Sequence, residues 1–213
     1  MDSKAHWEAV YETKQTDEVS WYQPSAERSV GLIRRVQPDL AGPIIDIGGG
    51  ASVLVDELLD LGYDDLTVLD IAEAALKAAR DRTGPRAGVR WLQADVLSAE
   101  LPPARYAVWH DRAVFHFLTT PAERAAYVAQ VHRSVRPGGH VLVATFAGDG
   151  PARCSGLLVD RYSPDRLHAE FGPEFRLLAS EREDHLTPQG AHQPFIYCLC
   201  RLDAADDARP GVP

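Results

Sequence analysis

From Pro43 onward, short aliphatic runs alternate with longer stretches in which apolar residues recur at helical spacing. The runs at 44–47, 66–69, 89–93, 106–110 and 140–145 predict five strands. Between them, residues 52–61, 71–82 and 121–135 predict helices. This alternation marks parallel strands joined by crossover helices. The last of these helices opens on Thr120-Pro121, a capping residue followed by proline at the first helical position. Arg136-Pro137-Gly138-Gly139 is expected to end it and reverse the chain, because proline cannot continue a helix and glycine tolerates a turn.

Beyond Thr145 the pattern changes. A connection containing Gly and Pro leads to a helix near 163–170, then to extended runs at 175–183 and 194–201 with no helix-length segment between them. A terminal hairpin follows from that. His185, His192 and the turn Thr187-Pro188-Gln189-Gly190 are expected to be solvated in its loop, within reach of an acceptor pocket. Before Pro43, residues 4–14 and 25–36 predict two helices flanking a segment that contains Trp21-Tyr22-Gln23, placed to cover a sheet edge or the mouth of a site. The expected organisation is an N-terminal helical lid over 1–42, an α/β domain over 43–202, and a disordered tail over 203–213 with too little apolar content to pack.

Composition narrows the function classes. A chain of 213 residues, 45% of them hydrophobic, buries one good core. A net charge of -9 argues against sequence-independent nucleic-acid binding, which needs Lys and Arg in excess to displace counterions. No apolar run approaches the roughly 20 residues that span a bilayer, so no membrane insertion is expected. The three cysteines and the lack of a cationic, apolar opening at residues 1–10 point to a cytoplasmic protein without a disulfide framework. Cys198 and Cys200 lack metal-ligand spacing and read as buried thiols; no metal is expected.

The strongest local chemistry is Ile44-Ile45-Asp46-Ile47-Gly48-Gly49-Gly50-Ala51-Ser52, a buried strand running through glycines into a helix. Glycines let a ligand lie against bare backbone, and the helix N-terminus offers unpaired N–H groups. Val53 stands where a dinucleotide fingerprint has its third small residue, which disfavours NAD. Asp46 sits badly beside a pyrophosphate and well beside an amino group. Asp70, about 20 residues on, ends the second strand where a carboxylate accepts from ribose hydroxyls; its alternative role is to cap the helix at Ile71. An adenosine without a pyrophosphate is indicated.

With Asp46-Ile47-Gly48-Gly49-Gly50, Asp70 and Gln93-Ala94-Asp95-Val96 taken together, the chain resembles the class I S-adenosylmethionine methyltransferases over about residues 40–146. The resemblance implies a Rossmann-like, doubly wound seven-stranded sheet of order 3-2-1-4-5-7-6 with the last strand antiparallel. It implies S-adenosyl-L-methionine as cofactor. Carried over by position, Gly48 and Gly50 face its methionine part, Asp70 the ribose, Asp95 the adenine amino group and Val96 the adenine ring, with Asp46, Gly49, Ser52, Ile71 and His110 as further cofactor-binding candidates. Val108-Trp109-His110-Asp111-Arg112-Ala113 is similar to the strand-four region of the thiopurine methyltransferase group. The lysine methyltransferases of citrate synthase and elongation factor share a similar small plan. His6-Trp7-Glu8-Ala9-Val10-Tyr11 and Ser20-Trp21-Tyr22 resemble the opening segment of both groups, which folds over the cofactor. Trp21 and Tyr22 are expected to close over the sulfonium, with ordinary packing on the domain as the alternative.

Methyl transfer from a sulfonium is an in-line displacement in which positioning supplies much of the rate, so a base is optional. If one is used, His110, Asp111 and His116 are the candidates at the end of strand four, with ordinary packing beside Phe115 and Phe117 as the alternative for the two histidines. Arg112 is expected either to pair structurally or to favour an anionic acceptor such as a thiolate or carboxylate. His110-Asp111-Arg112-Ala113 lacks the Pro-Pro-aromatic pattern of amino-methylating DNA enzymes. The first expectation is therefore a small-molecule S- or O-methyltransferase, and the second a protein lysine methyltransferase. Outside catalysis, the alternative is a scaffold that binds S-adenosylmethionine without turnover.

Overall fold

The computed structural model describes residues 3–204. In chain order it contains α1 (Ser3–Thr13), α2 (Glu27–Val36), β1 (Ile44–Ile47), α3 (Leu54–Asp60), β2 (Leu66–Asp70), α4 (Glu73–Thr83), β3 (Val89–Gln93), β4 (Tyr106–Arg112), α5 (Pro121–Ser134) and β5 (Val135–Phe146). There follow the short strands β6 (Arg153–Cys154) and β7 (Leu157–Leu158), then α6 (Pro164–Phe171), β8 (Phe175–Leu186) and β9 (His192–Leu202). Seven strands form one sheet of order β3-β2-β1-β4-β5-β9-β8, and β6-β7 form a separate two-stranded ribbon. β1 to β5 pair in parallel, whereas β9 runs antiparallel to both β5 and β8. This is the doubly wound order that the resemblance implied.

Helices cover both faces of the sheet, which is why β1 and β2 are buried at every position and read as continuous apolar runs. On one face Tyr106, Trp109, Val141 and Val143 pack with Tyr127 and Val131 of α5 and Leu167 and Phe171 of α6. On the other, Ile44, Val108 and Leu142 pack with Leu32 and Ile33 of α2 and Leu54, Val55 and Leu58 of α3. Successive β4 residues thus meet different surroundings.

α5 starts as its sequence dictates. The Thr120 side chain accepts from the Glu123 amide at 3.3 Å, and the Glu123 carboxylate accepts from the Thr120 amide at 2.9 Å, with Pro121 at the first turn. Its end differs from expectation: Arg136-Pro137-Gly138-Gly139 does not reverse the chain. β5 begins directly after Ser134, pairing Tyr106 with Val135 and then, after a register shift, Val108 with His140. The four residues form a bulge, Gly138 adopting φ +74, and a side chain at Gly139 would crowd the carbonyls of Arg136 and Tyr106. Of the predicted tail, Asp203 donates its amide to the Glu174 carbonyl, and residues 205–213 lie outside the described residues. No helix among the described residues is long and apolar enough to cross a membrane.

Candidate active site

β1 carries Asp46 to the C-terminal edge of the sheet and then gives way to the glycine loop. Gly48 sits at φ +65, where an L side chain is strained, and a Cβ there would overlap Val114. A Cβ at Gly49 would overlap the Asp46 carboxylate, and one at Gly50 would overlap Ala75 and Asp70. The glycines therefore let two carboxylates fold against the loop, and the Gly50 amide donates to Asp70 Oδ2 at 3.1 Å. Ser52 Oγ accepts the Leu54 amide at 3.2 Å where α3 begins. Arg82, which sequence reasoning did not single out, pins the loop from α4 by donating to the Ala51 carbonyl at 3.0 Å and the Ser52 carbonyl at 2.5 Å.

A cavity of about 220 Å³ lies over the loop. At one end it is lined by Asp70, Ile71, Asp95 and Val96. Asp70 Oδ1 also accepts the Ala72 amide at 2.9 Å, so the carboxylate caps the start of α4 while facing the cavity. Burial raises its pKa to about 7, with the charge of Asp46 adding and the backbone amides opposing. Asp95 Oδ1 accepts the Leu97 amide at 2.9 Å, and its side chain is exposed, while Val96 is buried beside it.

The roof of this cavity includes Trp7 and Tyr11 of α1 together with Trp21. Trp7 meets Trp21 edge-on at 5.6 Å and Phe117 at 5.1 Å, and Trp21 Nε1 donates to the Tyr11 hydroxyl at 3.2 Å. Glu8 holds α1 down: its carboxylate accepts the Glu73 and Ala74 amides at 2.8 and 3.0 Å. Charge complementarity to a helix N-terminus is the cause. Trp7, Glu8 and Tyr11 stood in a recognised motif, but only their helical spacing hinted that they share a face.

A smaller pocket of about 50 Å³ continues past Gly48 and Trp21 to Asp46, His110, Ser29 and Tyr22. Asp46 Oδ1 lies 2.6 Å from His110 Nδ1, and His110 Nε2 lies 2.9 Å from Ser29 Oγ of α2. Asp46 Oδ2 is buried without a partner. Arg112 borders both cavities. It donates to the Tyr197 hydroxyl at 2.9 Å and the Trp21 carbonyl at 3.1 Å, lies 3.5 Å from Glu183, and stacks over Phe195 at 4.3 Å.

The structure separates the four base and anion candidates. His110 reaches the small pocket with both ring nitrogens engaged, which leaves neither facing an acceptor. Asp111 points to the opposite face of β4, fully buried, where it accepts the Tyr127 hydroxyl at 2.6 Å and the amides of Val114 and Phe115 at 2.9 and 3.1 Å. Burial raises it to about 6. His116 is also fully buried, with ring contacts to Phe117 and Phe146; desolvation lowers it to about 3, so it stays neutral. Neither Asp111 nor His116 lines either cavity. His185 is not solvated as expected: it is buried in β8, 2.8 Å from the Ser20 carbonyl, and Gln189 donates to the Glu18 carbonyl at 2.7 Å. The hairpin thus ties down the segment that carries Trp21. His192 is exposed beside Asp184. The three cysteines are buried and free, and among the described residues no group of three or more His, Cys, Asp or Glu is arranged to hold a metal.

These residues fit S-adenosylmethionine. The orphaned Asp46 oxygen suits an ammonium, the Asp70 carboxylate suits ribose hydroxyls, and the exposed Asp95 suits the adenine amino group. Comparison with known proteins agrees. Residues 44–139 match the Methyltransferase domain family. The chain is 27% identical over 152 residues to the mouse (Mus musculus) eEF1A lysine and N-terminal methyltransferase, covering 68% of this chain and 22% of that protein. It thus spans about a fifth of that relative's length. Among solved structures it resembles the Burkholderia thailandensis 1,6-didemethyltoxoflavin-N1-methyltransferase with bound S-adenosylhomocysteine (TM-score 0.70, 20% identity, 94% of this chain and 87% of that one). It also resembles a structure solved for the conversion of a disulfide bond into a thioacetal group during echinomycin biosynthesis (TM-score 0.75, 20% identity, 95% and 93%). Fold and site define a class I α/β methyltransferase architecture. Residues 44–139 match a methyltransferase domain, and the fold is the one shared with S-adenosylmethionine-dependent methyltransferase structures.

Proposed function

We propose that the protein transfers the methyl group of S-adenosylmethionine to a small-molecule acceptor, at sulfur or oxygen. The observation that carries this reading is the roof: Trp7, Tyr11 and Trp21 close over the cavity, and Arg112 stands at its border. The cleft is lined mainly by apolar side chains, four of them aromatic, with Arg112 as its cation and Asp70, Asp95 and Glu123 as its carboxylates, and a cleft of this kind suits a small acceptor that the Arg112 guanidinium can orient. When bound, S-adenosylmethionine supplies an electrophilic methyl group on a sulfonium. Asp46 takes the ammonium of its amino-acid part, Asp70 and Ile71 border the ribose, and Asp95 and Val96 hold the adenine. The aromatic faces of the roof favour the cationic sulfur. With His110 fully engaged and Asp111 and His116 in the core, acceleration comes from holding the acceptor in line and excluding water. That arrangement favours thiols, a fraction of which ionise near neutral pH without a base.

The second reading, methylation of a protein lysine, is motivated by the mouse relative, whose name states that substrate. Incubation of the purified protein with lysate and tritium-labelled S-adenosylmethionine separates the two. Label in the low-molecular-weight filtrate supports the small acceptor, and label retained on protein supports the lysine reading. Binding of S-adenosylmethionine with no label in either fraction leaves a scaffold without turnover.

A further inference from the structure

We propose that His110 and Ser29 are positioning residues that hold the Asp46 carboxylate ready for the ammonium of the cofactor's amino-acid half. The inference rests on the reading that the site binds S-adenosylmethionine. β1 and β4 are neighbours, and their register places Asp46 directly beside His110. The His110 ring spans from Asp46 Oδ1 at 2.6 Å to Ser29 Oγ at 2.9 Å. All three side chains are buried, so each polar atom needs a partner. With the Nδ1–H donated to Asp46, Nε2 accepts the Ser29 hydroxyl proton, and Ser29 thereby sets both the tautomer and the ring plane. One carboxylate oxygen is consumed by this pairing. The other, Oδ2, is buried with no partner beside Gly49, and both residues line the small pocket. A buried, unsatisfied carboxylate oxygen costs free energy, and a ligand ammonium relieves that cost.

The arrangement also explains a residue that sequence patterns do not flag. Ser29 lies on α2, outside the sheet, and is 2% exposed. Its hydroxyl connects the packing of the N-terminal helices to the cofactor pocket through a single ring. Without that anchor the imidazole is free to rotate, and Asp46 loses its fixed orientation. Without the imidazole, Asp46 turns toward the loop amides and the ammonium site is lost.

The test uses two ligands that share the adenosine half. S-adenosylhomocysteine carries the amino-acid group, whereas 5′-methylthioadenosine lacks it. Calorimetric titration of the 213-residue chain is expected to show His110→Phe weakening S-adenosylhomocysteine about tenfold or more, from the loss of a charge-assisted hydrogen bond. Ser29→Ala is expected to weaken it about threefold. Both variants are expected to bind 5′-methylthioadenosine like the parent, which also demonstrates that they fold. His110→Asn, whose amide donates near the Nδ1 position, is expected to recover most of the loss. Equal affinity for S-adenosylhomocysteine in parent and His110→Phe overturns the inference. So does parallel weakening of both ligands, which assigns His110 to the fold alone. A parent protein that binds neither ligand overturns the cofactor reading itself, an outcome that no variant can mimic.

Discussion

The Glu8 carboxylate accepts the Glu73 amide at 2.8 Å, joining the first helix of the chain to the first turn of α4 across the roof of the cavity. The contact is a helix cap supplied from a distant element, and it keeps Trp7 and Tyr11 over the cavity. Replacement of such a cap by alanine costs about 1 kcal/mol. Glu8→Ala is therefore expected to lower Tm by about 2–4 °C and to speed S-adenosylhomocysteine release about fivefold, measured by stopped-flow tryptophan fluorescence. Unchanged release would show that α1 does not gate the site.

Asp70 is expected to give the site a pH dependence. Its pKa is about 7 in the fold against 3.8 as the reference value. A carboxyl raised in this way stays protonated in the fold after the unfolded chain has ionised. Its contribution to stability is thus full below about pH 4, is lost as pH rises to about 7, and is flat beyond. Ribose hydroxyls favour the ionised form, so S-adenosylhomocysteine affinity is expected to rise between pH 6 and 8, by at most about tenfold per pH unit below 7. Asp70→Asn is expected to weaken binding and flatten that profile in calorimetric titrations.

Asp111 is expected to behave as a structural residue. Asp111→Ala strands the Tyr127 hydroxyl and two backbone amides in the core and is expected to cost about 3 kcal/mol, seen as a lowered urea midpoint. The kcat of the folded fraction is expected to stay within about threefold of the parent, whereas a catalytic base lost at this position would cost about a hundredfold or more.

Arg112 unites the segment after α1, the β8-β9 hairpin and the cavity. Arg112→Lys keeps the charge but cannot reach both the Tyr197 hydroxyl and the Trp21 carbonyl. Its expected signature is a rise of about tenfold in acceptor KM with S-adenosylhomocysteine affinity nearly unchanged. Equal losses for cofactor and acceptor would assign Arg112 to holding Trp21 alone.

The sequence by itself determined the alternation of strands and crossover helices, the terminal hairpin and the glycine loop with Asp46, because these depend on local periodicity and on backbone freedom at particular residues. It also marked Asp70 as a carboxylate at the end of β2, while leaving its capping and ribose roles side by side; in the tertiary structure the carboxylate accepts the Gly50 and Ala72 amides and lines the cavity. What only the tertiary structure decided is which way the neighbours His110 and Asp111 face. Both faces of a central parallel strand are buried, so no polar alternation in the sequence distinguishes the pocket side from the core side. The bulge at Arg136-Pro137-Gly138-Gly139 was equally hidden, since proline and glycine end a helix and make a bulge with the same local chemistry. Ser29, Glu8 and Arg82 act through partners 81, 65 and 31 residues away, and such contacts exist only once the sheet has brought those segments together.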